Sequence, residues 1–158
     1  MKVLGKSIGE YFEFGRVIII PMAVFGLARP LLYMGGVPLS VAGKISVTGF
    51  GFIALLYFGV QVARTGFGTY RHLLPLNFLV SATSAIIISG SIAIAIFTGV
   101  DNIYTLPQYA EGIEGRSWFH FGAHLLVGFV IIPIVATIMG AIVMFVTTKL
   151  VKAPAAGN

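Results

Sequence analysis

The sequence predicts an all-α membrane protein, a four-transmembrane-helix bundle with a short N-terminal interfacial helix, and three observations carry that expectation. Of the 158 residues, 58% are apolar and only 9% charged, and the mean hydropathy is +0.99. A soluble domain of this size needs far more charge to stay in water. The apolar residues fall into four runs, each near the ~20 residues that cross a bilayer. The ten Lys and Arg residues gather at the ends of those runs, as membrane topology requires. They form no stripe suited to a phosphate backbone, so nucleic acid is not an expected partner. The absence of cysteine excludes disulfides, thiolate metal sites and thiol chemistry together.

Residues 1–152 are expected to form a single four-helix domain, with spans at about 14–34, 40–63, 73–98 and 118–148 and a disordered tail at 153–158. In residues 2–13, Val3, Leu4, Ile8, Tyr11 and Phe12 share one helical face while Lys2, Lys6, Glu10 and Glu13 lie elsewhere. That spacing predicts a helix lying in the interface. Glu10 and Glu13 precede the first apolar run, which argues for an uncleaved anchor over a signal peptide. In the first span, Arg16 and Arg29 lie 13 residues apart, about 20 Å of helix, less than the hydrocarbon thickness. Glu13 is a local partner for Arg16. Arg29 has none nearby in sequence and its partner is open, with Asp101, Glu111 and Glu114 the carboxylates to test against it. Pro21 predicts a kink and Pro30 the approach of the helix end.

Gly35-Gly36-Val37-Pro38 marks a tight turn. The second span, between Lys44 and Arg64, is rich in small residues, among them Gly43, Gly51 and Gly59, which favour close helix packing in lipid. Pro75 falls in the first turn of the third span, where its missing N–H does no harm. That span carries a small face of Ala82, Ala85, Ser89 and Ala93, with Ser81, Ser84 and Ser91 adding hydroxyls. The connection from Gly99 to Ser117 is the longest and the only acidic one. Within it Thr105-Leu106-Pro107-Gln108 predicts a helix start, and a short helix to about Glu111. Trp118 anchors the start of the last span, Pro133 predicts a bend, and Ala136 and Gly140 a small-residue contact. The basic residues favour the side holding the termini and the second connection. Both termini are therefore expected in the cytoplasm of a multi-pass cell-membrane protein.

The candidate site residues follow from chemistry at depth. His120 and His124 share a helix face at the spacing of two ligands to one metal, and Asp101, Glu111 and Glu114 on the same side could complete it. Arg29, Arg71, His72 and Asn77 are the buried polar candidates. No complete catalytic set is visible. The leading expectation is a non-enzymatic membrane component without a cofactor, which associates with itself or with a larger membrane complex. The alternatives are a metal- or haem-binding redox subunit using His120 and His124, and a small channel or carrier lined by the serines of the third span.

Overall fold

A computed structural model of the protein describes residues 2–110 and 112–150. The expected tail at 153–158 lies outside them. The chain opens with a hairpin, β1 Lys2–Val3 and β2 Lys6–Ser7, and continues as α1 Ile8–Met34, α2 Leu39–Ala42 and α3 Val47–Thr65. A 3-10 turn at Tyr70–His72 leads into α4 Leu73–Thr98. After the long connection come α5 Trp118–Leu126, a π turn at Val127–Ile131 and α6 Ile132–Leu150. Four helical stretches are long and apolar enough to cross a membrane: Ile8–Met34, Leu39–Thr65, Tyr70–Thr98 and Trp118–Leu150. They run alternately up and down, so residues 2–7, 66–72 and 150 share one end of the bundle and the connections at 35–46 and 99–117 share the other.

The N-terminal interfacial helix is corrected. Residues 2–7 pair as antiparallel strands, Lys2 opposite Ser7 and Val3 opposite Lys6, around a two-residue turn with Leu4 at φ 52° and Gly5 at φ 87°. Positive φ at both positions suits the twist of a tight hairpin. Helix α1 starts only at Ile8 because Ser7 and Glu10 form a reciprocal cap. The Ser7 N–H donates to Glu10 Oε2 at 2.7 Å and the Glu10 N–H to Ser7 Oγ at 3.1 Å. The Tyr11 hydroxyl then donates to the Val3 carbonyl and pins the hairpin to the helix.

Helix α1 passes through both Pro21 and Pro30 and ends at Met34. The second stretch is broken, because Gly43 to Ser46 separate one turn of α2 from α3. Ser46 restarts the helix by accepting from the Gly49 N–H at 3.0 Å. Gly66 and Gly99, both left-handed, close α3 and α4. Pro133 has no N–H to donate and its ring crowds the preceding turn. The chain widens just before it, with the Ile132 N–H reaching back to the Val127 carbonyl.

Small residues bring the helices together inside the chain. Gly59 of α3 lies against the Gly140 carbonyl and Val143 of α6, and Gly26 of α1 against Ile87 of α4. Gly128 of the π turn meets Ala85 of α4. Close backbone approach of this kind is how helices associate where water supplies no driving force. The core between them holds Tyr11, Met22, Phe58, Val62, Leu73, Leu76 and Met144. A second cluster of Ala42, Ile92, Ile103 and Tyr104 seals the end that carries the long connection.

Candidate functional site

The long connection forms turns and no helix between Gly99 and Ala110, which corrects the expected helix start at Thr105. Thr105 instead folds back. It accepts from the Asn102 N–H at 3.0 Å and donates to Asp101 Oδ1 or the Asn102 carbonyl. Asn102 is fully enclosed, donating from Nδ2 to the Ser91 carbonyl at 2.6 Å and accepting from the Tyr104 N–H at 2.9 Å. With Ile103, Tyr104 and Thr105 also buried, the connection plugs the end of the bundle. The Tyr104 hydroxyl donates to the Gly26 carbonyl at 3.3 Å. Burial pushes the Tyr104 phenol above its usual range, with the positive charge of Arg29 working in the other direction.

Arg29 is buried, but not against a carboxylate of the described residues. Its guanidinium carbon lies 5.0 Å from the Tyr104 ring centre and 4.7 Å from that of Tyr109, so two aromatic rings are its neighbours. Asp101 is engaged elsewhere, with Arg116 Nε at 3.2 Å from its Oδ1. Arg116 also donates through Nη1 to the Gly99 carbonyl. Glu114 is exposed, and Glu111 lies outside the described residues.

His120 and His124 do meet. Their Nε2 atoms are 3.1 Å apart and their ring centres 4.8 Å. His120 is buried, and its Nδ1 lies 2.8 Å from the Gly115 carbonyl. A carbonyl only accepts, so His120 carries a proton on Nδ1, and in its neutral form its Nε2 accepts from His124 Nε2–H. Gly115 is packed directly on the backbone of Thr105, which ties the histidine pair to the plug. Among the described residues, no group of three or more His, Asp or Glu side chains comes together to hold a metal.

His124 also lines a cavity of about 390 Å³ between the helices. Asn77, Ser81 and Ser84 of α4 contribute its other polar groups, and Met22, Leu55 and Val80 are part of its apolar wall. Thr48, Phe52, Val135 and Met139 line it too and are exposed, so it opens sideways between α3 and α6. Asn77 is buried, and its Nδ2 makes a long contact of 3.5 Å with Thr137 Oγ1. Its amide oxygen has no hydrogen-bond donor among the described residues. The Ser81 hydroxyl bonds back to the Asn77 carbonyl at 2.9 Å.

Arg71 and His72 belong to neither region. Arg71, expected to be buried, is exposed. His72 is half-buried and structural, since its Nδ1 accepts the Thr69 N–H at 2.9 Å and closes the 3-10 turn. It packs with Tyr11 and Phe67, and Phe67 in turn stacks on Phe14 at 4.0 Å and lies under Lys6 Nζ at 4.4 Å. Sequence reasoning missed Tyr104, Tyr109 and Asn102. Only the turn-forming Asp-Asn pair at 101–102 could have pointed to the last of these.

No protein-family model, curated protein or solved structure matches this chain.

Proposed function

We propose that the chain crosses the cell membrane four times with both termini in the cytoplasm, and that it binds a small, mainly apolar ligand inside the bundle as a carrier or binding component. The supporting observation is the cavity at His124, Asn77, Ser81 and Ser84. A mostly apolar hollow with a few convergent polar groups is the usual form of a small-molecule site, and its volume lies within the ~300–1,000 Å³ common for such sites. The unpartnered Asn77 oxygen accepts a hydrogen bond, so the ligand carries at least one donor on an otherwise apolar body. The sideways opening offers entry from lipid.

Native mass spectrometry of protein gently purified from its own membrane tests this. Wild type is expected to retain a specific small molecule that Ser84→Phe, which fills the cavity, releases while keeping its helical circular dichroism. Retention of nothing but exchangeable lipid by both refutes the reading. Because the chain has no cysteine, single cysteines introduced near Lys2 and near Gly112 test the topology separately, through labelling with a membrane-impermeant maleimide.

Association with a second copy or a larger membrane complex is the second reading. Gly90 and Gly122 are both exposed, with nothing within 4 Å of an added Cβ. They lie at one level of the α4–α5 seam, where the Ser89 hydroxyl donates to the Phe121 carbonyl. Bare helix backbone of this kind accepts another helix. Gly90→Leu is expected to reduce the mass measured by light scattering in mild detergent, and an unchanged mass counts against the reading.

A further inference from the structure

Among the described residues, Arg29 is a cation without an anion. It is 8% exposed, its Nε is buried without a hydrogen-bond partner, and neither ion pair among the described residues includes it. Taking a guanidinium this far out of water is unfavourable unless an anion accompanies it, and two aromatic faces recover only part of the loss. The Tyr104 and Tyr109 ring centres lie 5.0 Å and 4.7 Å from the guanidinium carbon. The N–H groups of a guanidinium match the forked oxygens of a phosphate, and the buried Arg29 Nε has no partner of its own among the described residues.

A second cation, Lys44, lies on the segment packed against Tyr109. Lys44 follows Gly43, and a Cβ on Gly43 would fall 2.7 Å from the Tyr109 hydroxyl oxygen. That contact places the break between α2 and α3 directly on the aromatic clamp. Lys44 is exposed and has no ion pair among the described residues. Arg29 also lies five residues from the end of α1 at Met34, about 7.5 Å along the axis. If α1 crosses a bilayer, as proposed above, this is where phospholipid phosphates begin.

We infer that Arg29, clamped by Tyr104 and Tyr109 and assisted by Lys44, binds a phosphate group at the end of the bundle closed by the long connection. The phosphate comes either from an anionic phospholipid or from solution.

The test compares wild type, Arg29→Gln and Lys44→Gln in nonionic detergent. Phosphatidylglycerol binding is read by native mass spectrometry, and inorganic phosphate binding by calorimetry. Wild type is expected to hold one phosphatidylglycerol per chain, with Arg29→Gln weakened by about tenfold or more and Lys44→Gln by a smaller factor. Binding of inorganic phosphate with the same dependence, and no lipid, assigns the source to solution and does not depend on the membrane reading. Binding of neither probe overturns the proposal, as does equal binding by wild type and a folded variant. Lys44 is exposed, so Lys44→Gln keeps the test decisive if Arg29→Gln fails to fold. The maleimide topology measurement reports on membrane crossing by itself, so either idea can fail without the other.

Discussion

Replacing Gly59 by alanine tests the packing of α3 on α6 directly. A Cβ on Gly59 falls 2.7 Å from the Gly140 carbonyl oxygen and 2.7 Å from the Val143 Cβ. Carbon atoms settle at about 3.5–4.0 Å from such neighbours, so the helices must part by roughly 1 Å. Neither obstacle can rotate away, since one is backbone and the other is fixed by it. Overpacking of this kind costs about 1–3 kcal/mol, against about 0.5–1 kcal/mol gained by removing a glycine from a helix interior. Gly59→Ala is therefore expected to lose up to about 2.5 kcal/mol. Gly51, two turns earlier on the same helix, has nothing within 4 Å of an added Cβ, so Gly51→Ala keeps the helical gain without the clash. Reversible unfolding in mixed micelles of nonionic detergent and dodecyl sulfate, followed by circular dichroism, measures both variants. A Gly59→Ala protein as stable as Gly51→Ala would refute the reasoning.

Three further outcomes are expected. Leu4 holds φ 52° in the hairpin turn, a conformation that costs a branched residue about 1–2 kcal/mol. Leu4→Asn should recover part of that, seen as greater amide-exchange protection of the Lys6 N–H. Tyr104 is a phenol whose pKa is raised by burial, so its contribution is complete below the unfolded value near ~10 and is lost as pH rises through the folded one. Tyr104→Phe should flatten the alkaline fall in melting temperature, and an unchanged fall would exclude Tyr104 as its source. At His120, asparagine can still donate to the Gly115 carbonyl, whereas glutamine reaches toward His124. His120→Gln should lose about 1 kcal/mol or more relative to His120→Asn, and equal stabilities would show that the link to Gly115 carries no weight.

The four apolar stretches were legible because hydropathy needs only local sequence, and the small residues of α3 and α6 did point to a close helix contact. Gly66 and Gly99 likewise mark helix ends through their left-handed backbone, and Ser117 marks a helix start through its side-chain hydroxyl. The hairpin was overlooked even though its signals were local. Gly5 allows the turn, and Ser7-Ile8-Gly9-Glu10 spells out the cap that delays α1. The plug was not legible. Thr105 has the chemistry of a helix cap, but Asn102 uses that chemistry for a buried turn once Ser91 and Gly26 are brought alongside. The spacing of His120 and His124 predicted their meeting, whereas the direction of the proton between them depends on Gly115, which reaches His120 only through the folded connection. Arg29 was recognised as anomalous. Its aromatic clamp was not, because a carboxylate and a tyrosine ring are both plausible partners for a guanidinium until tertiary structure chooses.

The π turn at Val127–Ile131 gives the last helix a place where length and orientation are decoupled. Removing one residue from an ordinary α-helical stretch rotates everything beyond it by about 100°. In this helix that would swing Gly140 away from Gly59, or His124 away from the cavity. One residue removed within 127–131 would convert the wide turn into a regular one and leave the segments on either side facing as they do now. The cavity-lining half and the helix-packing half of this stretch can thus change in sequence independently, with a five-residue joint absorbing the difference in register.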